Sequence, residues 1–304
     1  LEGVCRSHWP EVAWEFSLLT GGGFPLEFSF SSAGETIRYT AEVAGPEFAE
    51  AERVRRAAQL LSRLGKKAPA AEVMALLDRI QSAVPLRYGA WIGGRHSREG
   101  DRFKLYAEVP KSGATETEGL IHQLLGPEPL LSRAAQGAPQ LMMIGHEPES
   151  SRLELYFSVE GLEPWEVGWL MKRAGLASRE AELLGLIGET YGRSVERRLP
   201  GSRLGFSFSV LPDGPDGADG ASMIFSIFSY AGSVCGSDQG IRRRLLALAQ
   251  SRGWDFGSYE SLSEPIAGRS VWMTYHTMMT FSVAAEGAPV LHIGLRPPEP
   301  EVGL

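Results

Sequence analysis

Two short segments of the sequence place charged and aromatic side chains at alternating positions. Residues 102–109 (RFKLYAEV) and 152–159 (RLELYFSV) each read charge-x-charge-x-Tyr at one set of alternate positions and are largely apolar at the other. Successive side chains of a β-strand point to opposite faces, so both segments predict strands with one polar and one apolar face. Repeated around a sheet, such strands would enclose a cavity lined by Arg, Lys, Tyr and Glu. We expect the functional site in that cavity.

The composition limits the kind of protein that could carry this cavity. The chain has 304 residues, 43% of them hydrophobic, which is enough for a sizeable core. A net charge of −7 disfavours a general nucleic-acid binder, which usually carries a basic face. Cys5 and Cys235 are too few and too far apart for a disulfide framework, and no apolar run is long enough to span a membrane. We therefore expect a cytoplasmic protein without nucleic-acid or membrane partners.

Five pairs of predicted strands follow one another along the chain, separated by helical segments. Sequential hairpins favour an antiparallel sheet, and about ten strands favour closure into a barrel with helices outside it. The predicted fold is thus α+β: a closed antiparallel ten-stranded barrel surrounded by helices, in five αββα repeats. A two-domain α+β arrangement is the alternative, but no Pro/Ser-rich linker divides the chain, so residues 1–304 are expected to form a single domain. The strand pairs are 26–31 with 36–44, 87–93 with 102–109, 140–146 with 152–159, 204–211 with 221–230, and 271–284 with 290–295; the helices are 46–65, 69–84, 115–125, 164–174, 178–191 and 237–252.

Residues 18–30 (LLTGGGFPLEFSF) and 36–42 (TIRYTAE) add a more specific pattern: a leucine pair, a Gly/Pro loop, Pro-x-Glu on the first strand and Arg on the second. With the Lys-x-Tyr and Arg-x-x-x-Tyr strands, this pattern resembles the ABBA-barrel aromatic prenyltransferases, especially the dimethylallyltryptophan synthase branch. It is also similar to cyanobactin-type peptide prenyltransferases. The resemblance implies transfer of a prenyl group from its diphosphate to an indole-like or other electron-rich aromatic acceptor. It implies no required cofactor beyond this prenyl diphosphate co-substrate, no metal site and no essential Mg²⁺.

The resemblance also implies roles for particular residues. Alternation places six of them on the face of their strands that is turned away from the helices: Glu27, Arg38, Lys104, Tyr106, Arg152 and Tyr156. The implied catalytic residue is Glu27, a carboxylate that would hold the ring N–H of the acceptor and take a proton. Fixed cations can stabilise a leaving diphosphate, and aromatic faces can stabilise an allylic cation. The remaining roles are diphosphate binding for Arg38, Lys104 and Arg152, cation shielding for Tyr106 and Tyr156, and acceptor binding for Leu18, Leu19 and His292.

Several positions depart from the pattern of that family. Glu108 stands where a second tyrosine is frequent, Glu154 where a lysine is frequent, and His292 where a tyrosine is expected. A charge-balanced cavity of this kind would suit an acceptor with N–H or cationic groups, such as an indole, imidazole or guanidine. The charges could instead form ion pairs inside the barrel, whereas Glu42 and Arg102, near strand ends, are expected to be solvated. Two alternative functions therefore stay open: a peptide-modifying prenyltransferase, and a non-catalytic ligand-binding barrel with a decayed diphosphate site.

Overall fold

A closed antiparallel barrel of ten strands forms the centre of the molecule. The computed structural model describes residues 17–82, 84–111, 114–131, 137–201, 203–210, 223–268 and 274–297. Each strand pairs with its neighbours in the chain, and the first pairs with the last, which closes the barrel and confirms the predicted fold class. The strands are β1 (Leu26–Ser31), β2 (Ile37–Glu42), β3 (Ala90–Ser97), β4 (Gly100–Glu108), β5 (Gln140–Glu147), β6 (Arg152–Glu160), β7 (Arg203–Val210), β8 (Ile224–Tyr230), β9 (His276–Ala284) and β10 (Val290–Leu295).

Helices connect each strand pair to the next. None of the helices in the described part of the chain is long and apolar enough to cross a membrane. The α-helices within the described residues are α1 (Arg53–Arg63), α2 (Ala71–Gln81), α3 (Ala114–Leu125), α4 (Pro164–Arg173), α5 (Glu180–Tyr191), α6 (Ala231–Cys235), α7 (Asp238–Arg252) and α8 (Tyr259–Ala267).

The sequence placed most of these elements but misjudged some boundaries. Strand β3 begins at Ala90 and continues to Ser97, so the prediction of 87–93 was shifted towards the N-terminus. The reason is local: Gly93-Gly94 resembles a turn, but both glycines lie inside the strand. Helices α6 and α8 were not predicted, because α6 is short and α8 contains Pro265. Residues 211, 221–222 and 271–273 of the predicted fourth and fifth pairs lie outside the described residues.

The hydrophobic core lies between the barrel wall and the helices. Outward-facing strand residues such as Leu105, Leu155 and Phe206 are fully buried, and they pack in one cluster with helix residues such as Leu61 and Leu170. Full burial of one such side chain stabilises the fold by about 1.5–3 kcal/mol. The apolar faces of the strands are thus used by the core, and the polar faces are left to line the lumen.

The two ends of the barrel differ in their connections. At one end, which we call the hairpin end, turns join the two strands of each pair; Ser31, Ile37, Ser97 and Gly100 mark it. At the other, which we call the helix end, the chain passes between the barrel and the helices. These two ends are the reference points for the site.

Candidate active site

The inner face of the barrel collects the side chains that alternation predicted for it. Directly paired residues point to the same face, and pairing joins Glu27 with Thr40, Thr40 with Gly93, and Gly93 with Lys104. Tyr106 pairs with Gly145, which pairs with Glu154. The shared inner face predicted from the sequence is therefore present in the structure. It carries Glu27, Arg38, Lys104, Tyr106, Arg152, Glu154, Tyr156 and His292.

Three arginines form a row across adjacent strands near the hairpin end. Arg38 pairs with Arg95, and Arg95 pairs with Arg102. Within the described residues, none of the three forms an ion pair. Burial and the neighbouring Arg95 lower the pKa of Arg38 to about 10, so its guanidinium stays charged at neutral pH. Like charges placed side by side repel each other. An anion bound next to these three guanidinium groups would reduce that repulsion.

Arg152 extends this cationic group around the barrel from β6. Its Nη1 donates to the Ser209 hydroxyl at 3.1 Å, which fixes the guanidinium against the wall of the lumen. Burial lowers the pKa of Arg152, while the carboxylates of Glu147 and Glu154 act in the opposite direction. The hairpin end therefore presents several cations whose positions are set by strand register.

Lys104 is paired with a carboxylate inside the lumen. Its Nζ lies 2.6 Å from Oε2 of Glu154, and the Ser207 hydroxyl donates to the other carboxylate oxygen at 2.7 Å. Burial alone would lower the pKa of Lys104, but the Glu154 carboxylate outweighs it and raises that pKa. The same pair outweighs the effect of burial on Glu154 and lowers the pKa of that carboxyl. Both groups are therefore charged, and Glu154 partly neutralises Lys104.

Aromatic rings line the middle of the lumen. The rings of Tyr106 and Tyr156 meet edge to face at 5.9 Å, and Phe228 lies 6.0 Å from Tyr156. Glycines on the adjoining strands make this possible, because a Cβ at Gly93 would overlap the Tyr106 ring and one at Gly205 would overlap Phe228. The result is a wall of π faces next to the cations.

Glu27 lies towards the helix end of the same face. Its carboxyl sits beside Gly294 of β10 and Thr277 of β9, and a Cβ on that glycine would overlap both side chains. Burial raises the pKa of Glu27 to about 7, against a smaller lowering effect of the Thr277 hydroxyl. A carboxyl with a pKa near neutrality can both accept a hydrogen bond and take a proton at working pH.

The other carboxylates of the inner face have structural partners. Glu108 accepts hydrogen bonds from the backbone N–H groups of Arg87, Tyr88 and Gly89 at 2.7–3.0 Å, so it holds the loop before β3. Its carboxylate is therefore occupied by the backbone groups of this loop.

The expectation that Glu42 is solvated was wrong. It is fully buried at the helix end, where it accepts from the Ser17 hydroxyl at 2.6 Å, the Trp91 indole at 3.0 Å and Arg53 at 2.9 Å. The reason is that the segment leading into α1 brings Arg53 across this end of the barrel. Arg102, by contrast, is exposed as expected.

The predicted acceptor-binding residues occupy two different places. Leu18 and Leu19 lie at the helix end, where the Leu19 N–H donates to Ser17 Oγ at 3.0 Å. His292 lies with the cations instead: its Nδ1 is 3.4 Å from Nη1 of Arg38. Burial, and then the positive charge of Arg38 and its neighbours, lower the pKa of His292 to about 3, so the imidazole is neutral. The structure thus brings His292 to Arg38 rather than to Glu27.

Two residues of the site were missed in the sequence. Arg95 could have been found, because positions 91, 93 and 95 continue the alternation of β3 up to the turn. Thr277 could not, because alternation in β9 puts it on the outer face. Among the described residues no group of three or more His, Cys, Asp or Glu side chains is arranged to hold a metal ion.

Comparison with known proteins gives matches at the level of structure. No protein-family model and no curated protein matches the sequence. A solved 6-dimethylallyl tryptophan synthase superimposes with a TM-score of 0.72 at 20% identity, covering 96% of this chain and 88% of that one. The 6-dimethylallyltryptophan synthase of Micromonospora olivasterospora, in complex with DMASPP and Trp, gives 0.70 at 19% identity, covering 95% and 88%. The 5-dimethylallyltryptophan synthase of Streptomyces coelicolor gives 0.65 at 14% identity, covering 93% and 84%. This chain therefore has the ABBA-barrel fold of the aromatic prenyltransferases.

Proposed function

We propose that the protein is an aromatic prenyltransferase that moves a prenyl group from its diphosphate to an indole-like acceptor. The observation that carries the proposal is the order of groups along the lumen. Arginines without acidic partners in the described residues stand at the hairpin end, tyrosines stand in the middle, and the Glu27 carboxyl stands towards the helix end. When an allylic diphosphate ionises in front of an aromatic ring, negative charge develops on the diphosphate and positive charge on the allylic carbon and then on the ring. The arginines, the tyrosines and Glu27 stand in the same order as these charges.

The chemistry follows from these positions. The allylic C–O bond breaks heterolytically, and the diphosphate leaves with the electron pair, facing Arg38, Arg95, Arg102 and Arg152. Fixed guanidinium groups stabilise that charge through short hydrogen bonds, so we propose that Mg²⁺ is not essential. The allylic cation faces Tyr106 and Tyr156, whose π faces each contribute on the order of 1–2 kcal/mol.

The acceptor completes the reaction from the other side. Glu27 accepts a hydrogen bond from the ring N–H of the acceptor, which increases the electron density of the ring while an aromatic carbon attacks the cation to form the new C–C bond. The ring cation then loses one proton, that of the attacked carbon, to the released diphosphate, and the N–H stays on the aromatic product. This role needs the ionised carboxylate, so we expect the rate to rise as the pH passes about 7. Three solved structures with the same fold are described as complexes with tryptophan and a dimethylallyl diphosphate analogue, which supports an indole-like acceptor.

A non-catalytic barrel was motivated by Glu108 and Glu154. Glu108 is bound to the backbone of the loop before β3, and Glu154 neutralises a single cation, Lys104. Several arginines are still available for an anion, which supports a working donor site. A peptide acceptor is the second candidate for the same chemistry, and it is included in the test.

The test is calorimetric titration with dimethylallyl thiolodiphosphate, followed by turnover. Wild type is titrated with EDTA and with Mg²⁺, beside Lys104→Ala and the exposed control Lys111→Ala. We expect micromolar binding without Mg²⁺, weakened in the Lys104 variant, which leaves the Glu154 carboxylate unpaired in the lumen, and kept in the control. Dimethylallyl diphosphate is then supplied with tryptophan, indole or a tryptophan-containing peptide, and addition of one prenyl group is followed by mass spectrometry. Absence of donor binding in wild type would refute the proposal and favour the non-catalytic barrel.

A further inference from the structure

A β-bulge in β9 reverses the faces of two side chains near Glu27. Met279 pairs with Ile293, but the next pair joins His276 with Leu295, so β9 contains one more residue than β10 between these pairs. In the regular part of β9, Thr280 and Ser282 face the lumen, and continued alternation would point Thr277 outwards. The extra residue turns Thr277 into the lumen and His276 out of it. Bulges next to functional sites re-aim side chains in this way.

The reoriented Thr277 side chain lies beside Glu27, the residue proposed to bind the acceptor. Gly294, which pairs with the inner-face residue Ser29, leaves the space in which the Thr277 hydroxyl and the Glu27 carboxyl both lie. In the described part of the chain the hydroxyl makes no fully formed hydrogen bond. It nevertheless lowers the pKa of Glu27 relative to burial alone. The two groups are therefore close enough to interact.

The outer side of the bulge is fixed by a buried carboxylate. Asp238, the first residue of α7, accepts from the backbone N–H of Tyr275 at 3.1 Å and of His276 at 2.9 Å. It also lies 2.6 Å from Nδ1 of His276, whose Nε2 lies 2.9 Å from the Tyr259 hydroxyl. Asp238, His276 and Tyr259 are all at least 97% buried. One helix end thus satisfies two backbone donors at the start of β9, directly before the bulge.

We propose that Thr277 is a positioning residue for Glu27, and that Asp238 and His276 hold it in place from outside the barrel wall. The inference rests on the proposed function, because it concerns the orientation and ionisation of Glu27, which is proposed to bind the acceptor. A hydroxyl that donates to a carboxylate favours its ionised form and limits its rotation. Glu27 would then face the acceptor in one orientation and accept its N–H at a lower pH than burial alone would allow.

The other groups around Glu27 do not supply this control. Thr40 on β2 and Gly294 on β10, which are packed beside it, are uncharged. Further along these segments, Glu42 is bound to Arg53, and the Arg296 guanidinium lies 4.5 Å from the centre of the Tyr275 ring. None of these charged groups contributes appreciably to the pKa of Glu27, whose causes are burial and Thr277.

The first experiment measures Glu27 directly. Protein labelled with ¹³C at the glutamate carboxyl is titrated by NMR, with Glu27→Gln identifying the signal. We expect Thr277→Val to raise the pKa of Glu27 by about one unit, since the hydroxyl that favours the ionised carboxylate is removed, and Thr277→Ser to keep it near the wild-type value. An unchanged pKa in the valine variant would overturn the inference.

The second experiment tests the outer anchor. Asp238→Asn should shift the pKa of Glu27 in the same direction as Thr277→Val, in protein shown by circular dichroism to be folded. If that variant does not fold, Tyr259→Phe replaces it, since it removes a single hydrogen bond to His276 and keeps the ring. If a folded Asp238→Asn or Tyr259→Phe variant kept the wild-type pKa of Glu27, the proposed role of Asp238 and His276 in holding Thr277 would be wrong.

Turnover separates this inference from the function on which it rests. The acidic limb of kcat/KM for the acceptor should move to higher pH in Thr277→Val and return in Thr277→Ser. If no acceptor is prenylated by any variant, the proposed function fails while the NMR titration still decides the role of Thr277. If turnover occurs and the limb does not move, the inference alone fails.

Discussion

Nζ of Lys104 and Oε2 of Glu154 lie 2.6 Å apart although their strands are not neighbours. Strand β5 runs between them, and it contributes Gly145 at the point where the two side chains pass. A Cβ at that glycine would lie 3.1 Å from Lys104 Cδ, so a larger residue would press on the pair. The ion pair therefore depends on a glycine in a third strand, and it sets how much positive charge the lumen offers to an anion.

The first prediction concerns this charge. Glu154→Gln should tighten binding of dimethylallyl thiolodiphosphate roughly threefold to tenfold, because Lys104 is no longer neutralised. It should also lower the free energy of unfolding, since a buried lysine loses its partner. Calorimetry and urea unfolding measure the two effects. Glu149→Gln, with the same charge change at an exposed position of the β5–β6 turn, is the control and should change neither. Weaker donor binding in Glu154→Gln would mean that Glu154 positions Lys104 rather than competing for it.

The second prediction concerns the arginine row at the hairpin end. Arg95→Gln and Arg102→Gln should each weaken donor binding about tenfold, since each removes a charge-assisted hydrogen bond to the anion. The dependence of binding on NaCl concentration should also become less steep. The control is Arg98→Gln, which carries the same charge change on the exposed turn between β3 and β4. Equal losses in all three variants would indicate a general effect of net charge and not a site.

The third prediction concerns stability and pH through Glu27. Its pKa is about 7 in the folded protein and near 4.5 when the chain is unfolded, so the folded state keeps a proton that the unfolded state releases. Between these values the free energy of unfolding falls as the pH rises, by about 2–3 kcal/mol for this group. Glu27→Gln should remove that fall: relative to wild type, the variant should be more stable at pH 8 than at pH 5, while losing turnover. If the free energy of unfolding of Glu27→Gln differed from that of wild type by the same amount at pH 5 and at pH 8, the assignment would be contradicted.

The fourth prediction separates a structural carboxylate from the functional ones. Glu108→Gln should lower the free energy of unfolding by about 2 kcal/mol, because backbone N–H groups before β3 lose a charged acceptor. Binding of dimethylallyl thiolodiphosphate should be unchanged, since Glu108 is committed to the loop. Chemical unfolding and calorimetry on the same preparation test both parts. A change in donor affinity without a change in stability would place Glu108 in the site after all.

Much of the barrel could be predicted from the sequence because strand alternation is a local property. The inner positions of β4 and β6 follow from residues that are two apart. The number of strands favoured closure, and the pairing of β1 with β10 confirms it. What the sequence could not supply depends on distant partners. Glu42 is buried because Arg53 of α1 crosses the end of the barrel, and Thr277 faces inwards because a bulge is fixed from α7. The inward position of Arg95 could have been predicted from alternation in β3. It was missed because Gly93-Gly94 resembles a turn, which ended the predicted strand too early.

The separation of charges along the barrel has a consequence for the direction in which substrates lie. Cations at the hairpin end and the Glu27 carboxylate towards the helix end create an electric field along the barrel axis. A prenyl diphosphate aligned with this field has its C–O bond stretched by it, since the leaving group is drawn to one end and the allylic carbon to the other. The reverse orientation would be opposed at both ends. The polarity of the barrel would therefore select one insertion direction for the donor, with its allylic carbon directed towards Glu27.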